Sequence, residues 1–170
     1  SNTTKPDIPM NSKQIVEEFQ RTWSYTRNMT DEFIECVPED KINFSHHPKF
    51  GPLLKQFRHM VGVYSCYIDA FASKEMSLTN KKQDYASLPS RVDIQNALKD
   101  KDKELARALG PLKDADLTTY RINFFGQEMG FTEYTHVLIQ HECAHFGIWA
   151  SYAAFGEFET PTSWKNDWKL

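Results

Sequence analysis

The sequence has few cysteines and no regular arrangement of them. Its 170 residues include three, at positions 36, 66 and 143, which lie far apart and form no Cys-x-x-Cys pair. An odd number of scattered cysteines argues against a disulfide framework and favours a reducing compartment. We therefore predict a cytoplasmic protein.

Long apolar segments are also absent. Charged or polar residues interrupt every hydrophobic stretch before it reaches the roughly 20 residues that a membrane-spanning helix needs. Residues 1–9 are polar and lack the apolar region of a signal peptide. This predicts a protein that does not span a membrane, and we expect residues 1–11 to form a flexible tail.

Neither sign of charge dominates. The chain has 20 Lys and Arg against 23 Asp and Glu, a net charge of −3, and these charges are interspersed. A nucleic-acid-binding surface would need a basic stripe. We therefore expect no nucleic-acid partner and predict a small-molecule substrate instead.

What the sequence does contain is apolar periodicity at helical spacing. The predicted helices cover residues 11–37 before Pro38, residues 52–71, residues 90–109 before Gly110-Pro111, and residues 132–155 with Gly156 as a left-handed cap. Between residues 117 and 131, short alternation predicts a hairpin or irregular connector. Four long helices without a repeat or linker predict an all-α four-helix bundle, one domain over residues 12–170.

The last predicted helix places two histidines inside its apolar stripe. At about 100° per residue, His145 lies about 40° from His141, with apolar residues on both sides. Such a stripe faces the core, where unpaired imidazoles are costly. One ion can bind both rings, because four residues span about 6 Å of helix. We predict that both histidines are ligands of a divalent metal ion; histidines bonded to backbone or tyrosine are the alternative.

A metal site with an open position for catalysis needs a third protein ligand. The remaining candidates are His46, His47, His59 and His136. The first two belong to a proline-bounded loop that is typical of solvated turn residues. His136 lies about 140° from His141 and is expected at the surface. Helical periodicity alone supports His59 weakly, and Cys66 nearby is either a fourth ligand or a small buried residue.

The segment His141-Glu142-Cys143-Ala144-His145 also matches the H-E-x-x-H motif of zinc peptidases. In that motif the glutamate is the general base. Ile148 and Ser151 stand where a metzincin would have its next glycine and histidine. The upstream helices offer no edge strand for an extended peptide. A zinc metallopeptidase therefore stays an alternative to a helical metalloprotein.

From about Ser12 to Leu170 the chain resembles the DinB-like family of four-helix-bundle metalloproteins. The segment Leu54-Lys-Gln-Phe-Arg-His59 looks like the family's first ligand position, and His141 and His145 look like its paired ligands. The segments 122–126 and 161–170 resemble its connector and closing tail. The chain departs from the family pattern around the final ligand, where Ala144 precedes it and Phe146-Gly147-Ile148 follows.

The resemblance implies a metal site formed by His59, His141 and His145. Zinc or nickel is the expected ion, with iron or manganese as alternatives. Members of known activity are metal-dependent transferases or isomerases that use low-molecular-weight thiols such as bacillithiol or mycothiol, and members often dimerise. The resemblance therefore implies a thiol-dependent S-transferase or a hydrolase acting on a small molecule, and a homodimer.

Three further side chains are candidates for a catalytic role. Tyr134 and Tyr152 share the ligand face and could hydrogen-bond a substrate, although aromatic residues in such a stripe are more often core. Glu142 could accept the second N–H of a ligand imidazole, or lie exposed. Cys143 is expected to point away from the ligands. A non-catalytic protein with a structural or vestigial metal site is the third functional alternative.

Overall fold

The long elements of the protein are helices. The computed structural model describes residues 8–78 and 85–170. The helices described there include α1 (Ser12–Cys36), α2 (Leu53–Ser73), α3 (Arg91–Leu109), α4 (Phe131–Gly156) and α5 (Thr162–Trp168), with short 3-10 helices at Glu39–Lys41 and Pro111–Asp114. The four long helices pack into a bundle, which confirms the predicted all-α fold. Residues 1–7 of the expected tail lie outside the described residues, and the single domain over residues 12–170 stays a prediction.

Side-chain caps mark where α1 and α3 begin. At the start of α1, the Asn11 side chain accepts a hydrogen bond from the Gln14 backbone at 2.9 Å, and the Gln14 side chain accepts one from the Asn11 backbone. Ser90 accepts a hydrogen bond from the Asp93 N–H at the start of α3. These contacts satisfy backbone donors that have no partner within the first helical turn.

The connector before α4 is a two-stranded hairpin, which confirms the sequence prediction. Strand β1 (Ile122–Phe124) pairs antiparallel with β2 (Gln127–Met129). The turn residues Phe125 and Gly126 both have positive φ, 53° and 94°, as tight hairpin turns require. Backbone bonds from Asn123 to the chain just after α2 attach the hairpin to the end of that helix.

The left-handed residue at the end of α4 is Glu157 rather than Gly156. Glu157 has φ 57°, whereas Gly156 still belongs to the helix. A Cβ on Gly156 would lie 3.0 Å from the Phe158 ring and 3.2 Å from the Phe44 ring. The glycine is therefore required for close packing, and its predicted role as the helix cap is wrong.

An aromatic cluster joins the helices at the end of the bundle where α5 docks. Phe33 of α1 is fully buried and stacks on Trp149 of α4 and Trp164 of α5, with ring centroids 5.3 and 5.0 Å away. Burial of such large rings contributes strongly to folding free energy. No helix within residues 8–78 and 85–170 is both long enough and apolar enough to cross a membrane.

Candidate metal centre

Two neighbouring helices bring three histidines together. His59 projects from α2, and His141 and His145 project from successive turns of α4. One nitrogen from each ring can be chosen so that all three lie within 4.8 Å of one another. The Nε2 atoms of His59 and His141 are 3.2 Å apart. Each side chain is half-buried, so the cluster lies at the edge of the core.

This geometry fits a divalent metal ion. Two imidazole nitrogens bound to one tetrahedral ion at 2.0–2.1 Å lie about 3.4 Å apart, close to the 3.2 Å between His59 and His141. Burial, together with the neighbouring His59, lowers the pKa of His145 to about 4. His145 is therefore neutral at pH 7, the state that a metal ligand needs. The three-histidine cluster predicted from the resemblance is present and could hold an ion.

The other histidines and Cys66 lie outside this cluster. Within residues 8–78 and 85–170, the group of side chains close enough to share an ion consists of the three histidines. Cys66 is buried, as its alternative interpretation had it, and His136 is exposed, as expected. The structure therefore supports His59 as the third member, which periodicity had supported only weakly.

His46 is not the solvated turn residue that the sequence predicts. Its ring is half-buried between Phe50 and Phe155, at centroid distances of 5.6 and 5.4 Å and nearly parallel to both. Its Nε2 lies 3.2 Å from the Ser151 hydroxyl. His47 is exposed, as expected. Phe155, at the end of α4, covers one face of the His46 ring, so local loop composition alone could not predict this packing.

Glu142 is buried on the side of α4 that faces α1. It is 2% exposed, and its carboxylate accepts a hydrogen bond from the Thr30 hydroxyl at 2.5 Å. Burial raises the pKa of its carboxyl to about 7, while Arg27 and the Thr30 bond act in the opposite direction. A general base must reach the water beside the ion. Glu142 is therefore not the exposed residue that one interpretation of the sequence predicted. Its placement toward α1 also does not favour it as the general base of a peptidase.

Both candidate tyrosines are fully buried, and their hydroxyls are bonded to the backbone. The Tyr134 hydroxyl donates to the Tyr67 carbonyl at 2.8 Å, and the Tyr152 hydroxyl donates to the Gly51 carbonyl. Burial raises the pKa of Tyr152 to about 12. Binding a substrate through either hydroxyl would require breaking these bonds, and a catalytic role for either stays a prediction.

Sequence reasoning missed Gln56, which contacts the cluster directly. Gln56 Oε1 lies 3.0 Å from His145 Nδ1 and accepts a hydrogen bond from Trp149 Nε1 at 3.3 Å. Its side chain is buried on the apolar side of α2, one turn before His59. A glutamine at an apolar position of a helix that carries a candidate ligand is the signal that could have identified it.

The cysteines differ in exposure, which predicts their order of alkylation. Cys143 is exposed, Cys36 is half-buried and Cys66 is buried. Burial raises the pKa of Cys36 to about 11 and also raises that of Cys143. We expect iodoacetamide to modify Cys143 first, at a rate that rises roughly tenfold per pH unit below the thiol pKa, because the thiolate reacts. Mass spectrometry of peptides at pH 7, 8 and 9 measures these rates.

A Cys143→Ser variant is the control for this labelling order. Its fast phase should disappear, and Cys36 should react slowly at each pH. Modification of buried Cys66 as rapidly as Cys143 in the native protein would contradict the packing of α2.

Comparison with known proteins supports the same fold. The family model described as the DinB superfamily matches residues 22–148, a range that contains all three histidines. A crystal structure of a DinB-like protein from Bacillus cereus ATCC 10987 is 20% identical, with a TM-score of 0.69, and the match covers 85% of this chain and 95% of that chain. A DinB-like protein from Bacillus subtilis is 16% identical, with a TM-score of 0.64 and the same coverages. No curated protein matches the sequence.

Proposed function

Because the chain belongs to the DinB superfamily, we propose that His59, His141 and His145 bind a divalent metal ion in an enzyme that acts on a small molecule. The observation that carries the proposal is the convergence of one nitrogen from each ring to within 4.8 Å, across two helices. Zinc or nickel is the proposed ion, and iron or manganese would also accept three imidazoles.

The three histidines would bind the ion and leave it accessible to a small molecule. Three neutral imidazoles leave the charge of a 2+ ion uncompensated. A divalent ion held by three side chains supplies Lewis acidity, which lowers the pKa of a water or thiol toward neutrality. Since each histidine is half-buried, a small molecule can approach the exposed side of the cluster.

We propose thiol-dependent S-transfer as the reaction, with hydrolysis of a small molecule as the alternative. In S-transfer, the sulfur of a low-molecular-weight thiol forms a bond to an electrophilic carbon. The leaving group departs with the electron pair of the broken bond, and the thiol proton passes to solvent. A thiolate is a softer ligand than hydroxide for zinc or nickel. Among the described residues the cluster consists of three histidines and no carboxylate, which favours the thiolate.

The test begins with protein purified without a histidine tag. We expect about one equivalent of metal per chain by mass spectrometry, and thiol consumption when metal-loaded protein meets a panel of thiols and electrophiles. Thiol loss should fall to the uncatalysed rate in His141→Ala, which removes one proposed ligand. Folded wild-type protein that binds no divalent metal would overturn the proposal, and metal binding without any turnover would favour the non-catalytic alternative.

A further inference from the structure

The Gln56 side chain connects α2, α4 and the loop before α2. Its Nε2 donates to the Phe50 carbonyl at 3.1 Å. Its Oε1 accepts from Trp149 Nε1 at 3.3 Å and lies 3.0 Å from His145 Nδ1. The side chain is 8% exposed, so solvent offers little replacement for these bonds.

Two hydrogen-bond partners of Gln56 can each act in one way only, one as an acceptor and the other as a donor. Together they determine how the amide is oriented. A backbone carbonyl can only accept a hydrogen bond, and an indole N–H can only donate one. Rotating the Gln56 amide by 180° would place its oxygen against the Phe50 carbonyl and its NH2 against the Trp149 N–H. The amide nitrogen therefore faces Phe50, and Oε1 faces Trp149 and His145.

This orientation determines which nitrogen of His145 carries the hydrogen. Oε1 of Gln56 is an acceptor, so the His145 Nδ1 that lies 3.0 Å away must donate. In a neutral imidazole the other nitrogen then carries the lone pair. For His145 that nitrogen is Nε2, the atom left for an ion shared with the other two histidines.

The residues around Gln56 hold it rigidly. Trp149 is fully buried, and its ring packs edge-on against Phe57 with centroids 5.2 Å apart. Phe33 stacks on the same indole, with ring centroids 5.3 Å apart. The Trp149 N–H cannot follow a displaced glutamine without disturbing this aromatic packing.

We propose that Gln56 is the positioning residue of the metal centre. It holds His145 as the Nδ1–H tautomer and directs Nε2 at the ion. The part that concerns the ion rests on the proposed function, whereas the tautomer is a property of the metal-free protein. A hydrogen-bond acceptor behind a ligand imidazole orients the ring and strengthens it as a donor to metal.

The test uses Gln56→Met, which keeps the length of the side chain and removes the acceptor. We expect its Kd for zinc, measured by competition with a chelator, to rise about 10–100-fold. Long-range ¹H–¹⁵N NMR of metal-free protein at neutral pH should show the Nδ1–H pattern for His145 in wild type and a mixture of tautomers in Gln56→Met. The His145 signals are assigned by their loss in His145→Ala.

Two further variants separate positioning from general damage to the fold. Gln56→Glu keeps an oxygen acceptor for His145 Nδ1 and Trp149 Nε1 but loses the donor to the Phe50 carbonyl, so it should retain the Nδ1–H pattern and bind zinc more tightly than Gln56→Met. Gln127→Met makes the same change at an exposed position of β2 and should match wild type in both measurements. Far-ultraviolet circular dichroism checks that each variant is folded.

The outcomes are decisive in both directions. An Nδ1–H pattern in wild type that is lost in Gln56→Met and kept in Gln56→Glu supports the assignment. An Nε2–H pattern in wild type, or an unchanged pattern and Kd in folded Gln56→Met, overturns it. If wild type binds no zinc, the proposed metal function fails, while the NMR comparison still tests the tautomer.

Discussion

Replacing His59 with alanine is expected to weaken zinc binding about 10²–10³-fold, as severely as replacing His145. Zinc binds structural sites with four protein ligands with about 10–16 kcal/mol, or roughly 2.5–4 kcal/mol per ligand, and about 1.4 kcal/mol corresponds to a tenfold change in Kd. The equal effect is expected because both side chains offer a nitrogen to the same cluster, although one comes from α2 and the other from α4.

Competition titration with a chromophoric zinc chelator measures these affinities. Glu142→Gln is the matched control, because Glu142 is adjacent to a proposed ligand in sequence but contacts Thr30 of α1. We expect its Kd to stay within about threefold of wild type, since a buried glutamine can keep the Thr30 contact. An unchanged Kd in His59→Ala would remove His59 from the site. Abolished peptide cleavage in Glu142→Gln with metal retained would instead favour the peptidase.

Replacing Phe33 with alanine is expected to lower the free energy of unfolding by about 3–5 kcal/mol. The Phe33 ring is fully buried and contacts aromatic rings from α2, α4 and α5. Truncation removes apolar contact and leaves a cavity that the stacked indoles of Trp149 and Trp164 cannot fill without moving. For a chain of 170 residues this corresponds to a decrease in Tm of roughly 8–14 °C.

Urea unfolding followed by circular dichroism measures this change. Phe125→Ala is the control, because the Phe125 side chain lies at the turn of the hairpin and is 60% exposed. Its free energy of unfolding should stay within about 0.5 kcal/mol of wild type. Equal losses in the two variants would mean that the aromatic cluster does not stabilise the bundle as its packing indicates.

The helices were predictable because their signals are local. The apolar spacing of α1 and the Gly110-Pro111 stop after α3 act within a few residues, and the structure has both helices where the sequence predicts them. The hairpin before α4 was predictable for the same reason. The error at Gly156 came from assigning the glycine to a backbone conformation, when the approach of Phe44 and Phe158 is what requires a small residue.

The metal centre was predictable in part. His141 and His145 are one turn apart on one helix, so periodicity alone places them side by side. His59 is 82 residues from His141, and no local signal measures the distance between two helices. The family resemblance supplied His59 as the third partner, and the packing of α2 against α4 brings its ring to the other two.

The sequence alone determined that His141 and His145 lie side by side, because the helical repeat fixes the relative directions of residues four apart. The long helices were determined in the same way. Only the tertiary structure decided that Glu142 faces α1, that Phe50 and Phe155 enclose His46, and that Gln56 Oε1 lies beside His145 Nδ1. Each of these depends on at least one contact between residues far apart in the chain, namely Thr30 with Glu142, Phe155 with His46 and Gln56 with His145, and such contacts exist only once the helices have packed.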